Sequence, residues 1–291
     1  MTGNSFHSAE GNGGLQKVTV THGSGASFEV YLKGASVVSW KDAKGVECLY
    51  LSPKSFFDME QPIRGGIPLA FPQFGLGDLP RHGFARLAPW RIQCQETLKD
   101  GSAALTLRLR DSDWTRGMWN HEFALEYTII LRAASLVTQC TVKNTGSSPF
   151  DFAFLFHTYL GVSDSSRAKI FGFEGLKAKD TMSGDEFIAG GEPLALRAEN
   201  KETTVLLSET RCGTVLKDAG ARRACLISRS SNLTETVIWN PGEETCAKNA
   251  DLADDSYKYF VCIEPGAIHQ KTVLTPGERA VFSQTITETV A

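Results

Sequence analysis

The chemistry in this chain is concentrated in two strand-like segments and one loop, all of which carry proton-handling or anion-binding side chains. In PFDFAFLFHTYLGV, residues 149–162, Phe150, Phe152, Phe154 and Phe156 share one face at period two, while Asp151, Ala153, Leu155, His157 and Tyr159 share the other. A face made wholly of phenylalanine belongs between two sheets, so His157 is expected on the outer or concave side. Histidine exchanges protons near neutrality, although a hydrogen-bonded structural histidine fits the same strand. In YKYFVCIEPGAI, residues 257–268, Glu264 is expected to end an apolar strand just before a turn at Pro265-Gly266. Partial desolvation there would raise its pKa and strengthen it as a base. An ion pair at the strand end is the plainer alternative.

The loop QPIRGGIPLAFPQFGLGDLPRHGFARLAPW, residues 61–90, holds five prolines and five glycines, which shape a loop rather than loosen it. Arg64 precedes Gly65-Gly66, where missing side chains would let a ligand approach the backbone. Arg81, His82 and Arg86 follow within PRHGFAR. Planar guanidinium forks suit phosphate or carboxylate, so a bound anion is expected. The alternative is that each arginine pairs with a nearby carboxylate such as Asp78, a kind of pair that typically contributes less than about 1 kcal/mol.

These residues need a scaffold, and its signature is period two. In ALTLRLR, residues 104–110, Leu105, Leu107 and Leu109 alternate with Thr106, Arg108 and Arg110. FEVYL, FALEYTIIL, LVTQCTVKN and ETVIWN repeat the pattern, separated by turn clusters such as DAKG, LKDGS, KNTGSS and TPGE. Helical stretches are scarce; SPKSFFDME, residues 52–60, is expected to form a turn or two. The expected fold is therefore all-β, a large antiparallel sandwich with few short helices. Residues 15–291 are read as one domain behind a flexible, glycine-rich tail over 1–14.

Composition narrows the function classes. A formal charge of -3 argues against nucleic acid as the main partner. No run of about twenty apolar residues provides a membrane helix. Seven dispersed cysteines without a CxxC pair, in a chain lacking an apolar leader, point to reduced thiols and a cytoplasmic setting. Dinucleotide, calcium, zinc and nucleophile-elbow motifs are all missing their required spacing.

With RGGIPLAFPQFG, LPRHGFAR, FHTYLGV, IWNP and CIEPGAI in order along the chain, the sequence resembles the glucose-6-phosphate 1-epimerases. These form a branch of the aldose 1-epimerase, or galactose-mutarotase-like, superfamily. The similarity runs from about residue 15 to 287. The resemblance implies a large β-sandwich holding a sugar phosphate on a concave sheet. It implies His157 as catalytic acid and Glu264 as catalytic base. It also implies that Arg64 and Arg86 hold substrate and phosphate. Arg81 stands where the family often has glutamine, beside His82. The family's acidic sugar-binding residue has no matching wording in ENKETTVLL, where Glu202 is the nearest candidate. The expected reaction interconverts α and β anomers of glucose 6-phosphate by acid–base ring opening, with no cofactor or metal, in a monomer. A mutarotase for neutral aldoses and a non-catalytic carbohydrate-binding sandwich are the competing expectations.

Overall fold

The computed structural model describes residues 3–196, 202–208 and 213–290. Cys212 and residues 199–201 of the ENKETTVLL segment lie outside them. The described residues form three antiparallel sheets. A four-stranded sheet contains β1 (Ser5–Glu10), β2 (Gln16–Thr21), β3 (Ser27–Tyr31) and β4 (Ser36–Lys41) in that order. One eight-stranded sheet runs β6 (Arg91–Thr97), β7 (Ala103–Arg110), β8 (Phe123–Leu131), β9 (Ser135–Asn144), β20 (Arg279–Val290), β17 (Arg223–Arg229), β16 (Gly213–Asp218) and β12 (Ala168–Phe171). The other eight-stranded sheet, which carries the site, runs β5 (Leu69–Ala70), β10 (Phe150–Phe156), β19 (Phe260–Leu274), β18 (Glu235–Asn240), β15 (Thr203–Ser208), β13 (Lys177–Asp180) and β14 (Glu186–Ile188). Its eighth strand, β11 (Tyr159–Gly161), continues beside β19.

The two large sheets face one another through the phenylalanine stripe. Phe152, Phe154 and Phe156 are fully buried, and Phe154 stacks on Phe282 of β20 with ring centroids 4.6 Å apart. Period two thus reports the packing correctly, and the expected all-β sandwich is the observed one. The leucines of β7 behave likewise: Leu105 and Leu107 are buried while Arg110 is exposed.

Three local expectations are corrected. The segment expected as a loose tail carries β1, which pairs with β2 from Ser5↔Thr21 to Glu10↔Gln16. SPKSFFDME forms turns and bends, because its polar side chains capture backbone groups that a helix would need. Ser52 Oγ accepts from the Lys54 amide at 3.2 Å, and the Asp58 carboxylate accepts from the amides of Glu60 and Gln61. The described α-helices lie elsewhere, at α1 (Asp113–Met118) and α2 (Gly242–Lys248). A reciprocal Ser112–Thr115 capping box starts α1.

The third correction concerns β19, which runs through Pro265-Gly266 rather than stopping there. Pro265 pairs with Thr236 of β18. On its other side β10 has turned away, with Phe156 pairing Leu69 of β5 instead. The missing proline amide is tolerated where pairing is already interrupted. That interruption, between the end of β10 and the start of β11, is where His157 lies. No helix among the described residues is long and apolar enough to cross a membrane.

Candidate active site

Glu264 occupies the interior of β19, with Val237 of β18 as its cross-strand neighbour, and is 1% exposed. His157 is 7% exposed, and its backbone amide donates to the Pro68 carbonyl of the 61–90 loop at 2.9 Å. The imidazole lies parallel to the Tyr159 ring at 4.8 Å, with Trp239 and His82 edge-on at 5.8 and 5.4 Å. His157 Nδ1 and Glu264 Oε1 approach to 3.2 Å. Their angles are not those of a hydrogen bond, however. His157 Nδ1 and both Glu264 oxygens are buried without a hydrogen-bond partner. Native interiors rarely leave such atoms unsatisfied, and those that remain call for an explanation.

The electrostatics follow from this burial. Desolvation pushes Glu264 well above the usual carboxylate pKa, with Arg81 partly offsetting it. Desolvation, then the neighbouring His82, Arg86 and Arg64, push His157 well below its usual value. Both shifts favour a carboxylic acid beside a neutral imidazole over the ion pair. One proton moved from Glu264 to His157 converts the first to the second without changing the site's net charge.

Both groups open on a cavity of about 360 Å³, within the size range of small-ligand sites. All seven residues singled out in the sequence line it: Arg64, Arg81, His82, Arg86, His157, Glu202 and Glu264. The loop that delivers four of them is pinned against the scaffold. Gly66 has a positive φ of 67°, and a Cβ there would lie 1.8 Å from the Val37 carbonyl oxygen. The Gly65-Gly66 pair thus admits the chain's own backbone, rather than a ligand as the sequence suggested.

The three arginines divide into two kinds. Arg64 donates from Nε to Asp251 at 2.8 Å and from Nη1 to the Tyr159 hydroxyl at 3.3 Å. Burial works against its charge, but Tyr159 and Asp251 more than offset this and raise its pKa. The carboxylate alternative therefore holds for Arg64, with Asp251 as partner in place of the adjacent Asp78. Arg86 donates through Nη2 to the Arg81 carbonyl oxygen, and its buried Nε has no partner. Burial first, and also Arg64 and Arg81, lower the Arg86 pKa to about 10. No carboxylate among the described residues forms an ion pair with Arg81 or Arg86. Uncompensated guanidinium groups on a cavity wall suit an anion.

His82 does not add to that charge. Its Nδ1 accepts from the Gly75 amide at 3.2 Å, so a neutral ring carries its proton on Nε2. Burial, then Arg86, Arg81 and Arg64, depress its pKa to about 2.

On the opposite wall Glu202 is held by two donors: Trp239 Nε1 at 3.1 Å and Thr245 Oγ1 at 2.6 Å. Thr204 and Asn249 add further polar groups to the cavity lining. Sequence reading missed the contributions of Trp239, Thr245, Asn249 and Asp251. Trp239 carried a signal, since it shares the IWNP stretch with a strand end; the others come from α2 and the segment after it, where no period marks them.

Comparisons with known proteins establish the family. The family model described as aldose 1-epimerase matches residues 16–287. A protein of Cenchrus ciliaris named "Putative glucose-6-phosphate 1-epimerase" is 31% identical over 274 residues, covering 91% of this chain and 82% of that protein. An Escherichia coli protein of the same name is 31% identical over 275 residues, covering 90% and 86%. The crystal structure of a "putative mutarotase" from Salmonella typhimurium superposes with a TM-score of 0.88 at 26% identity, covering 98% of this chain and 94% of that one. This chain belongs to the aldose 1-epimerase family, and it is an epimerase of the mutarotase type.

Proposed function

We propose that the protein interconverts the α and β anomers of a hexose 6-phosphate, glucose 6-phosphate being the expected substrate. The observation that carries this reading is one cavity in which His157 and Glu264 approach to 3.2 Å beside two arginines, Arg81 and Arg86, that have no carboxylate partner among the described residues. The names of the relatives point the same way.

Anomerisation opens the hemiacetal, turns the C1–C2 bond and closes the ring on the other carbonyl face. In the ring form, Glu264 is the base for the O1 proton and His157 the acid for the ring oxygen. Opening leaves Glu264 protonated and His157 neutral, the very state that burial favours in the free site. Closing returns the O5 proton to His157 and the Glu264 proton to O1. Each half-step uses one positioned acid and one base, worth typically about 10²- to 10⁴-fold. No metal or cofactor takes part in these transfers.

The phosphate is assigned to Arg81 and Arg86, with Arg64 and its Asp251 partner shaping the wall. Its binding orients the sugar through contacts remote from the reacting bond. Its negative charge also opposes the arginine field that disfavours a protonated His157. The polar group around Glu202 is assigned to the sugar hydroxyls.

The test is polarimetry on freshly dissolved α-glucose 6-phosphate and α-glucose, with Glu264→Gln as control. The expected result is acceleration of the phosphorylated sugar above both the glucose rate and the variant. Equal acceleration of the two sugars would favour a neutral-aldose enzyme, and no acceleration would leave only a binding role.

A further inference from the structure

We propose that His157, Cys262 and Glu264 form a capture site for a thiophilic divalent cation, Zn²⁺ being the natural probe, and that its occupation silences the acid–base pair. One ligand atom from each of the three residues lies within 4.8 Å of the other two. The arrangement follows from the strands. Cys262 and Glu264 are two apart on β19 and project from the same face, while His157 enters from the gap between β10 and β11 that flanks them. His157 Nδ1 and Glu264 Oε1, at 3.2 Å, already stand at the spacing of two ligands sharing a tetrahedral zinc. With Zn–N and Zn–O near 2.0–2.2 Å and Zn–S near 2.3 Å, a movement of about an ångström would close the third side.

Independent of spacing, the donor atoms are free. His157 Nδ1 and both Glu264 oxygens are buried without hydrogen bonds, and among the described residues none bonds to the Cys262 sulfur. His157 and Glu264 line the cavity, which provides the entry path and leaves a fourth position open toward solvent or an anion. On binding, the Cys262 thiol and the Glu264 carboxyl each release a proton to solvent and coordinate as thiolate and carboxylate, with His157 neutral. The two negative charges then cancel those of the cation, so the ion enters the buried site with no net charge. That neutrality lets a cation lodge beside Arg64 and Arg86. Proton transfer cannot proceed while the metal holds both partners, so the silencing rests on the mutarotase reading above. The binding itself does not. The plain alternative makes Cys262 a packing residue, since it also lies in an apolar cluster with Tyr159, Tyr257 and Phe260.

Cobalt(II) gives a readout separate from activity, because a tetrahedral thiolate site produces a sulfur-to-cobalt charge-transfer band. The titration uses the full chain carrying Cys94→Ser, which removes the one exposed cysteine among the described residues, and Cys212→Ser, which removes the cysteine outside them. The expected result is that band at one equivalent, displaced by Zn²⁺ and lost in both Cys262→Ala and Cys262→Val. Zn²⁺ should also slow polarimetric anomerisation reversibly on chelation. Each Cys262 variant, compared with its own metal-free rate, should need at least about tenfold more zinc. No band, or a band that survives in the Cys262 variants, overturns the site. Equal zinc sensitivity with and without Cys262 overturns the silencing. An enzyme inert toward every sugar would instead defeat the functional reading and leave the cobalt spectrum to decide the metal site.

Discussion

At Glu264 the same burial that prepares a base also costs stability, and the sign can be worked out. Its folded pKa lies well above the ordinary 4.5 because of desolvation, so the folded state binds a proton that the unfolded chain has released. Stability contributed by the neutral carboxyl is present at low pH and is lost as pH rises from the unfolded value through the folded one. Glutamine cannot ionise. The melting temperature of Glu264→Gln relative to wild type should therefore climb as pH rises above the ordinary carboxylate range, while its kcat falls by about 10²- to 10⁴-fold. Calorimetry across that rise showing a constant gap would mean the carboxyl ionises at no cost. Activity should be bell-shaped in pH, because the couple works only while holding one proton, and both limbs report the couple. Arg86 has a different signature. Arg86→Ala should raise KM for the phosphorylated sugar by about 10- to 100-fold with little change in kcat, the loss expected for a charged hydrogen-bonding group. An equal effect on unphosphorylated glucose would contradict the phosphate assignment.

At the scale of elements, the 61–90 loop acts as part of the sheet scaffold. Gly66 donates to the Tyr50 carbonyl at 2.7 Å, Ile67 donates to Val37 at 2.9 Å, and Leu69–Ala70 pairs with the end of β10. These bonds place Arg64, Arg81 and Arg86 beside the β10–β11 break. Gly66→Ala would push a methyl group into the Val37 carbonyl at a positive φ. It should destabilise the protein by about 2–4 kcal/mol and weaken substrate binding along with it. An unchanged urea midpoint would show that the loop can lift away from β4. The β10–β11 break serves the site in its own way. Thr158, adjacent to His157, is tied by its hydroxyl to Gln284 of β20, while its carbonyl accepts from Ile263 at 3.1 Å. The strand can turn here without leaving its polar groups unsatisfied.

At the scale of the molecule, two large sheets share a phenylalanine-rich interface that supports the cavity sheet from behind. Phe154→Ala would remove the ring stacked on Phe282 and should cost about 3–5 kcal/mol. Chemical denaturation would measure it, and a loss below about 1 kcal/mol would show that the sheets close over the gap. The sandwich and the inward face of β10 could be read from the chain alone, because alternation of side chains is a local property of extended backbone; alternation left His157 and Glu264 with structural alternatives, and their paired roles came from the family resemblance. The tail expected over 1–14 and the helical turns expected over 52–60 rested on local composition, which carries neither strand pairing nor captured amides. Pairing with β2 decided the first, and amides captured by Ser52 and Asp58 decided the second. That Arg64 is committed to Asp251 while Arg81 and Arg86 are not depended on residues as far as 187 positions apart. The depth of Glu264 likewise depended on a strand that continues through Pro265. Identity and alternation are written in the order of residues, but charge compensation and desolvation belong to whichever neighbours the fold brings near, and only the assembled sheets decided those.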